Sequence, residues 1–183
     1  MLGIVFTEFQ EFIEQEFTPA MYDQLLKACP DMKSQGIYTA VGQYDYTEVI
    51  DLVTALSEKT NVPVPDLVRT FGHHLFARFH TRYPNFFDHI DCSFDFLKTI
   101  EDHIHVEVKK LYPVAELPKF DCKGIDQNKM TMHYSSQRPF ADLAEGLIRG
   151  CADHFKEDIT IERQDHNTDH SYQSTFVIVR NTA

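Results

Sequence analysis

The chain has 183 residues, 43% of them hydrophobic, which suits one domain, or one domain in two lobes, around a packed core. Its 17 basic and 28 acidic residues leave a net charge of −11, which argues against a general binder of nucleic acid or of an anionic membrane, since both need a basic surface. No apolar stretch approaches the ~20 residues that cross a bilayer, and "MLGIVFTEFQEF" lacks the start of a signal peptide, so a cytoplasmic protein without membrane insertion is expected.

The first two-thirds of the chain is mainly helical in pattern. "TEVIDLVTALSEKT" sets Val49, Leu52, Val53 and Leu56 on one stripe, with Thr47 as an N-cap candidate. "VPVP" at 62–65 stops that helix and starts another, in which Leu67, Phe71, Leu75 and Phe79 recur at helical spacing behind Pro65. "SFDFLKTIEDHIHVEVKKLYP" carries the longest pattern, with Leu97, Ile100, Ile104, Val108 and Leu111 on one face, and Pro113 ends it. The character then changes. "NKMTMHYSS", "DITIERQ" and "STFVIVRN" alternate as short strands, and "RPFADLAEGLIRGCADHF" places a helix between the first two, with Leu143, Leu147 and Cys151 on one side. The expected fold is α+β: an N-terminal helical lobe and a C-terminal antiparallel sheet with packed helices. Cys29, Cys92, Cys122 and Cys151 lie far apart without a C-x-x-C, as in a reduced intracellular chain. There is no Trp, but 15 Phe and 8 Tyr could line a large flat pocket as well as fill a core.

Two stretches raise chemistry. In "HIHVEVKKLYP", residues two apart on a helix point away from each other, so His103 and His105 cannot chelate one ion. His105 shares a side with Phe94, Val108 and Tyr112 and is the inward one; His103 lies nearer Thr99, Glu107 and Lys110. An inward imidazole needs a hydrogen-bond partner or a metal. One histidine cannot build a zinc site, which takes three or four ligands, but it suffices as the axial ligand of a haem. In "MHYSSQR", Tyr134, Ser136 and Arg138 fall on one face of an extended strand, where a phenol, a hydroxyl and a guanidinium could all donate to carboxylates such as haem propionates. On spacing alone, a hydrogen-bonded core histidine and a solvated strand end are the better account of the same residues.

Together these residues resemble the haem–nitric oxide/oxygen-binding (H-NOX) family, which includes the sensor domain of soluble guanylate cyclase. Y-x-S-x-R stands intact as Tyr134, Ser136 and Arg138, and a helical histidine followed seven residues later by Tyr-Pro stands as His105, Tyr112 and Pro113. "MLGIVF", "FGHHLF" and "AEGLIRG" are similar to the family in the same order, so the resemblance covers nearly the whole chain. It implies a single domain, with a distal helical lobe over about 1–62, a proximal helix and sheet lobe over 63–183, and haem b buried between them. His105 would be the axial iron ligand, and Tyr134, Ser136 and Arg138 would hold the propionates. Pro118 of "ELPKF" would press on the porphyrin, and Val5, Phe9, Leu143 and Leu147 would line the distal side, with His74 a further candidate there.

The resemblance also implies a gas. Members that hold O₂ carry a distal tyrosine whose hydroxyl donates to it; the matching position, three before Gly146, is Leu143, which has no donor, and Phe9 has none either. The expectation is a sensor of NO and CO that excludes O₂, is not an enzyme, and signals by breaking the iron–histidine bond. The expected partner is a separate histidine kinase, as in two-component signalling, or a diguanylate cyclase or phosphodiesterase. An O₂-binding haem protein or haem enzyme working through His74 is the alternative. Two further rivals are a non-haem interaction module and a metalloprotein using His73/His74 or His166/His170. Some relatives carry a zinc held by cysteines and a histidine; "RQDHNTDHSYQS" has His166 and His170 but no cysteine, so no zinc and a hairpin with solvated histidines are expected.

Overall fold

The computed structural model describes residues 1–181. The chain divides into two compact units, Met1–Phe71 and Gly72–Ala183.

The first unit is helical: α1 (Gly3–Glu16), α2 (Pro19–Ala28), α3 (Thr47–Thr60) and the first part of α4 (Val64–Arg82). Ile4, Phe6, Phe9, Phe12 and Ile13 recur along α1 at three- and four-residue intervals and are all buried, which is the stripe a core-facing helix needs. Thr18 caps α2 by accepting the Met21 N–H at 3.1 Å, ahead of Pro19. Asp45, not Thr47, serves the start of α3: its carboxylate accepts the Thr47 N–H at 3.1 Å, and Thr47 is the first helical residue. The connection before α3 is fastened by the buried carboxylate of Glu48, which accepts from the Ser34 N–H and hydroxyl and from the Tyr38 hydroxyl at 2.8 Å. Those three donors offset the desolvation of its charge.

The second unit takes the rest of α4, a 3₁₀ turn (Pro84–Phe87), α5 (Ser93–Thr99), a π-helical turn (Ile100–Ile104) and α6 (His105–Leu111). It continues through β1 (Lys119–Lys123), β2 (Lys129–Ser136), α7 (Ala141–His154), β3 (Ile159–Asp165) and β4 (Tyr172–Arg180). Among the described residues the strands form one antiparallel sheet in the order β1-β2-β4-β3. The register sets Phe120 against Tyr134, Met132 against Phe176 and Met130 against Ile178. Met130, Met132 and Tyr134 on alternate positions of β2, with Phe176 and Ile178 of β4, make the buried face; Ala144, Ile148 and Cys151 of α7 and Phe94, Phe96 and Leu97 of α5 cover it. The fold is thus α+β, as expected.

Two expectations are corrected. "KFDCK", left out of the expected strands, is the edge strand β1. The expected long amphipathic helix is interrupted: the π turn inserts an i→i−5 bond from the His105 N–H to the Ile100 carbonyl, and beyond it the stripe slips. Leu111, expected on the inner face, is 67% exposed.

Polar knots tie the helices to the sheet. Glu157 accepts from the Ser93 N–H at 3.3 Å and from Arg180 Nε at 3.0 Å, and the Arg180 guanidinium lies 3.9 Å from the centre of the Phe94 ring. Arg163 on β3 reaches Asp142 at 2.8 Å and Glu145 at 3.5 Å on α7, and Asp165 at 2.7 Å. Its hydrogen bonds hold the Asp165 carboxyl below the usual carboxylate range, with the Ser174 hydroxyl assisting. A carboxyl whose folded pKa is lowered stabilises the fold above its unfolded pKa and loses that contribution as pH falls through the folded value. Arg163→Met should therefore melt below wild type at neutral pH, with a gap that narrows as pH falls through the lowered pKa of the Asp165 carboxyl. Thermal melts of the two proteins across that range check this; a constant gap contradicts it.

Candidate functional site

The site grows from the interrupted helix. Glu101, in the π turn, stands four residues before His105, and its Oε2 lies 3.2 Å from His105 Nδ1. The same oxygen accepts the Phe120 N–H of β1 at 3.0 Å. The His105 side chain is only 14% exposed. Burial lowers its pKa, opposed by the charge and hydrogen bond of Glu101, so the ring is held toward its neutral form. A carboxylate only accepts, so the proton sits on Nδ1 and the Nε2 lone pair is left for another partner. That tautomer is the one that ligates a metal through Nε2. His103 is exposed, edge-on to Phe86 at 5.9 Å, as expected of the outward member of the pair.

An aromatic path runs from there to β2. The His105 and Phe120 rings lie 5.9 Å apart, and Phe120 and Tyr134 5.5 Å apart. Tyr134 is 3% exposed, and burial raises its pKa. Its hydroxyl donates to the Arg138 carbonyl at 3.4 Å. Arg138 does not continue the strand face that the alternation suggested. β2 ends at Ser136, whose hydroxyl oxygen accepts the Arg138 N–H at 3.0 Å and bends the chain. The Arg138 guanidinium is directed to the loop after α6, where it donates to the Glu116 carbonyl at 3.1 Å and pairs with the Glu116 carboxylate. The arginine is 15% exposed and the glutamate 78%, so a largely buried fork grips a carboxylate borne on a solvated, replaceable arm. Pro118 is half-buried, just before β1 on the same segment.

The remaining expected residues fall into the two units. Val5 is half-buried on α1, and Phe9 is buried, edge-on to Phe71 at 5.0 Å. His74, Leu143 and Leu147 are half-buried residues of the second unit. There α4 and α7 meet backbone to backbone. A Cβ at Gly72 would lie 2.4 Å from the Leu143 carbonyl oxygen and 3.0 Å from the Leu147 nitrogen, which puts the start of the "GHH" turn against the segment bearing both leucines. His166 and His170 are exposed in the β3–β4 connection, and among the described residues no group of three or more His, Cys, Asp or Glu stands together to hold a metal ion.

Glu101, Phe120 and Glu116 were not singled out in the sequence. Only Glu101 left a signal there, an acid four residues before a helical histidine.

The donor set fits a haem better than a bare ion. It offers one neutral imidazole, which suffices when a macrocycle supplies the remaining nitrogens, and a buried guanidinium already organised for a carboxylate.

Residues 2–163 match the sequence profile of a family described as Haem-NO-binding. The fold is similar to that of an Fe(II) unliganded H-NOX protein from K. algicida, 34% identical over 100% of this chain and 98% of that one, with a TM-score of 0.91. It is similar to an H-NOX from Shewanella woodyi in the Fe(II)CO ligation state, 48% identical over 99% and 95% of the two chains, with a TM-score of 0.82. An H-NOX from S. oneidensis in the Fe(II)NO ligation state is 27% identical over 100% of both, with a TM-score of 0.88.

Proposed function

The chain belongs to the Haem-NO-binding (H-NOX) family of haem-based gas sensors, and from that premise we propose that it senses NO and CO at ferrous haem b, excludes O₂, and regulates a separate signalling protein. The observation that carries this reading is His105: largely buried, neutral, its Nδ1–H committed to Glu101 and its Nε2 left for iron. Relatives recorded with iron unliganded, with CO and with NO support the gas assignment.

Bound haem would supply the ferrous iron, its four equatorial nitrogens and an open position for a diatomic gas. The chain supplies the rest. His105 would hold the iron and, as the first residue of α6, tie it through the helical backbone to the α5–α6 segment. Arg138 exchanges the exposed Glu116 carboxylate for a propionate, with Tyr134 and Ser136 shaping the bend that presents it. Pro118 would bear on the macrocycle from the segment leading into β1. Val5 and Phe9 of the first unit, and Leu143 and Leu147 of the second, carry no side-chain hydrogen-bond donor for bound O₂. Release of His105 would free α6 from its tether, and the relaxed state would be the one the partner recognises. A histidine kinase is the preferred partner, ahead of a diguanylate cyclase or phosphodiesterase.

The test is the visible spectrum of the anaerobically reduced protein, then under air, then under CO and NO. The sensor reading expects no change under air and new spectra with CO and NO. A stable oxy spectrum assigns the alternative, an O₂-binding protein using His74. Arg138→Leu tests the propionate role: loss of a charge-assisted hydrogen bond should speed haem loss about tenfold, measured by transfer to excess apomyoglobin.

A further inference from the structure

Glu101 touches both His105 and the edge of the sheet. Its Oε2 faces His105 Nδ1 at 3.2 Å and the Phe120 backbone N–H at 3.0 Å. Two elements distant in sequence thus meet on one carboxylate oxygen. The π turn makes this possible: its i→i−5 bond widens the helix between the two residues while keeping Glu101 one turn before His105. Glu101 itself is 41% exposed on its side chain.

We propose that Glu101 is a positioning residue that sets the strength of the His105–iron bond and couples that bond to β1. The proposal rests on His105 being the axial ligand. An ionised acceptor on Nδ1–H draws the proton toward itself and leaves Nε2 a stronger electron donor than an imidazole bonded to a neutral carbonyl would be. The histidine is therefore held more firmly, and a gas must weaken a stronger bond before the switch moves. The same oxygen fixes ring orientation, because the Phe120 amide prevents the carboxylate from swinging with the imidazole. When His105 leaves iron, its ring remains fastened to β1 through Glu101. The displacement is thereby passed to the segment that also holds Pro118 and Phe120.

The test compares Glu101→Gln and Glu101→Ala with wild type, all as haem-loaded ferrous protein, with the apo forms alongside. Gln keeps a neutral acceptor for the Phe120 amide but loses the charge; Ala loses both. The iron–histidine stretching frequency, read by resonance Raman, should fall in both variants. Haem loss to apomyoglobin should quicken roughly tenfold in Glu101→Ala, the low end of what removal of an outer ligand partner costs. Amide exchange at Phe120, read in the apo proteins, should rise in Glu101→Ala and stay near wild type in Glu101→Gln. An unchanged stretching frequency in both variants overturns the proposal even if stability falls, since a merely structural glutamate would not tune the bond. His105→Gly, run in parallel, separates the two levels. If that variant retains the wild-type stretching band, His105 is not the ligand and the functional reading fails. If it loses the band while the Glu101 variants keep theirs, only the role of Glu101 fails.

Discussion

His105→Gly is expected to leave the protein without stable haem unless imidazole is supplied during expression and purification. Removing the axial ligand itself should cost more than the roughly 10–100-fold in affinity typical when only its outer partners are removed. With imidazole present, haem should return, held by the exogenous ligand and by the Arg138 side chain. In the proposed arrangement the α5–α6 segment is then no longer bonded to iron. The variant should therefore act on its partner in the absence of NO as wild type acts in its presence. Haem content from the visible spectrum and the effect on a co-purified kinase, each with and without NO, read the two halves of this outcome. Full haem content without imidazole, or a partner effect that still needs NO, contradicts it.

Gly72→Ala should be the most damaging small substitution in the second unit. The new methyl would stand 2.4 Å from the Leu143 carbonyl oxygen and 3.0 Å from both the Gly146 Cα and the Leu147 nitrogen. All three are backbone atoms, so no side chain can rotate away, and α4 and α7 must separate. Overpacking of this kind costs about 1–3 kcal/mol, which for a chain of this size lowers Tm by roughly 2–12 °C. Because the contact lies beside Leu143 and Leu147, gas affinity should change as well. Gly124→Ala is the informative control. Its added Cβ meets nothing within 4 Å, but its φ of +57° sets a backbone cost of its own, about 1–2 kcal/mol in the left-handed region. A Gly72→Ala melting point equal to that of wild type would show that the helix crossing tolerates a methyl. A larger fall for Gly72→Ala, joined to altered CO binding that Gly124→Ala does not share, is the expected result.

Much of this arrangement was legible in the residues. The period-two burial of Met130, Met132 and Tyr134 followed directly from "MTMHY", because a strand alternates whatever lies around it. His105 was correctly chosen as inward because Phe94 and Val108, used to place it, do lie on the covered side. Leu111 was misplaced for the complementary reason. A π turn adds a residue to one turn without any mark in composition, and a stripe extrapolated through it goes out of phase. β1 was missed since "KFDCK" has two lysines and an aspartate on its exposed positions, the charged pattern that protects a sheet edge and hides a strand from hydrophobic alternation. Arg138 was placed one step too far along the strand because the bond from its own N–H to Ser136, which ends β2, is a local turn that alternation does not encode. Glu101 was visible as an acid one turn before the histidine, but its second bond, to the Phe120 amide, depends on where β1 pairs and had no trace in the sequence.

The central claim is that NO detaches His105. Electron paramagnetic resonance of the reduced protein with one equivalent of NO reads this directly, because the unpaired spin couples to nitrogen on either side of the iron. The expected spectrum of wild type shows hyperfine splitting from the NO nitrogen alone. A second nitrogen splitting in wild type that disappears in His105→Gly would mean that His105 stays bound, and that the switch does not work by release.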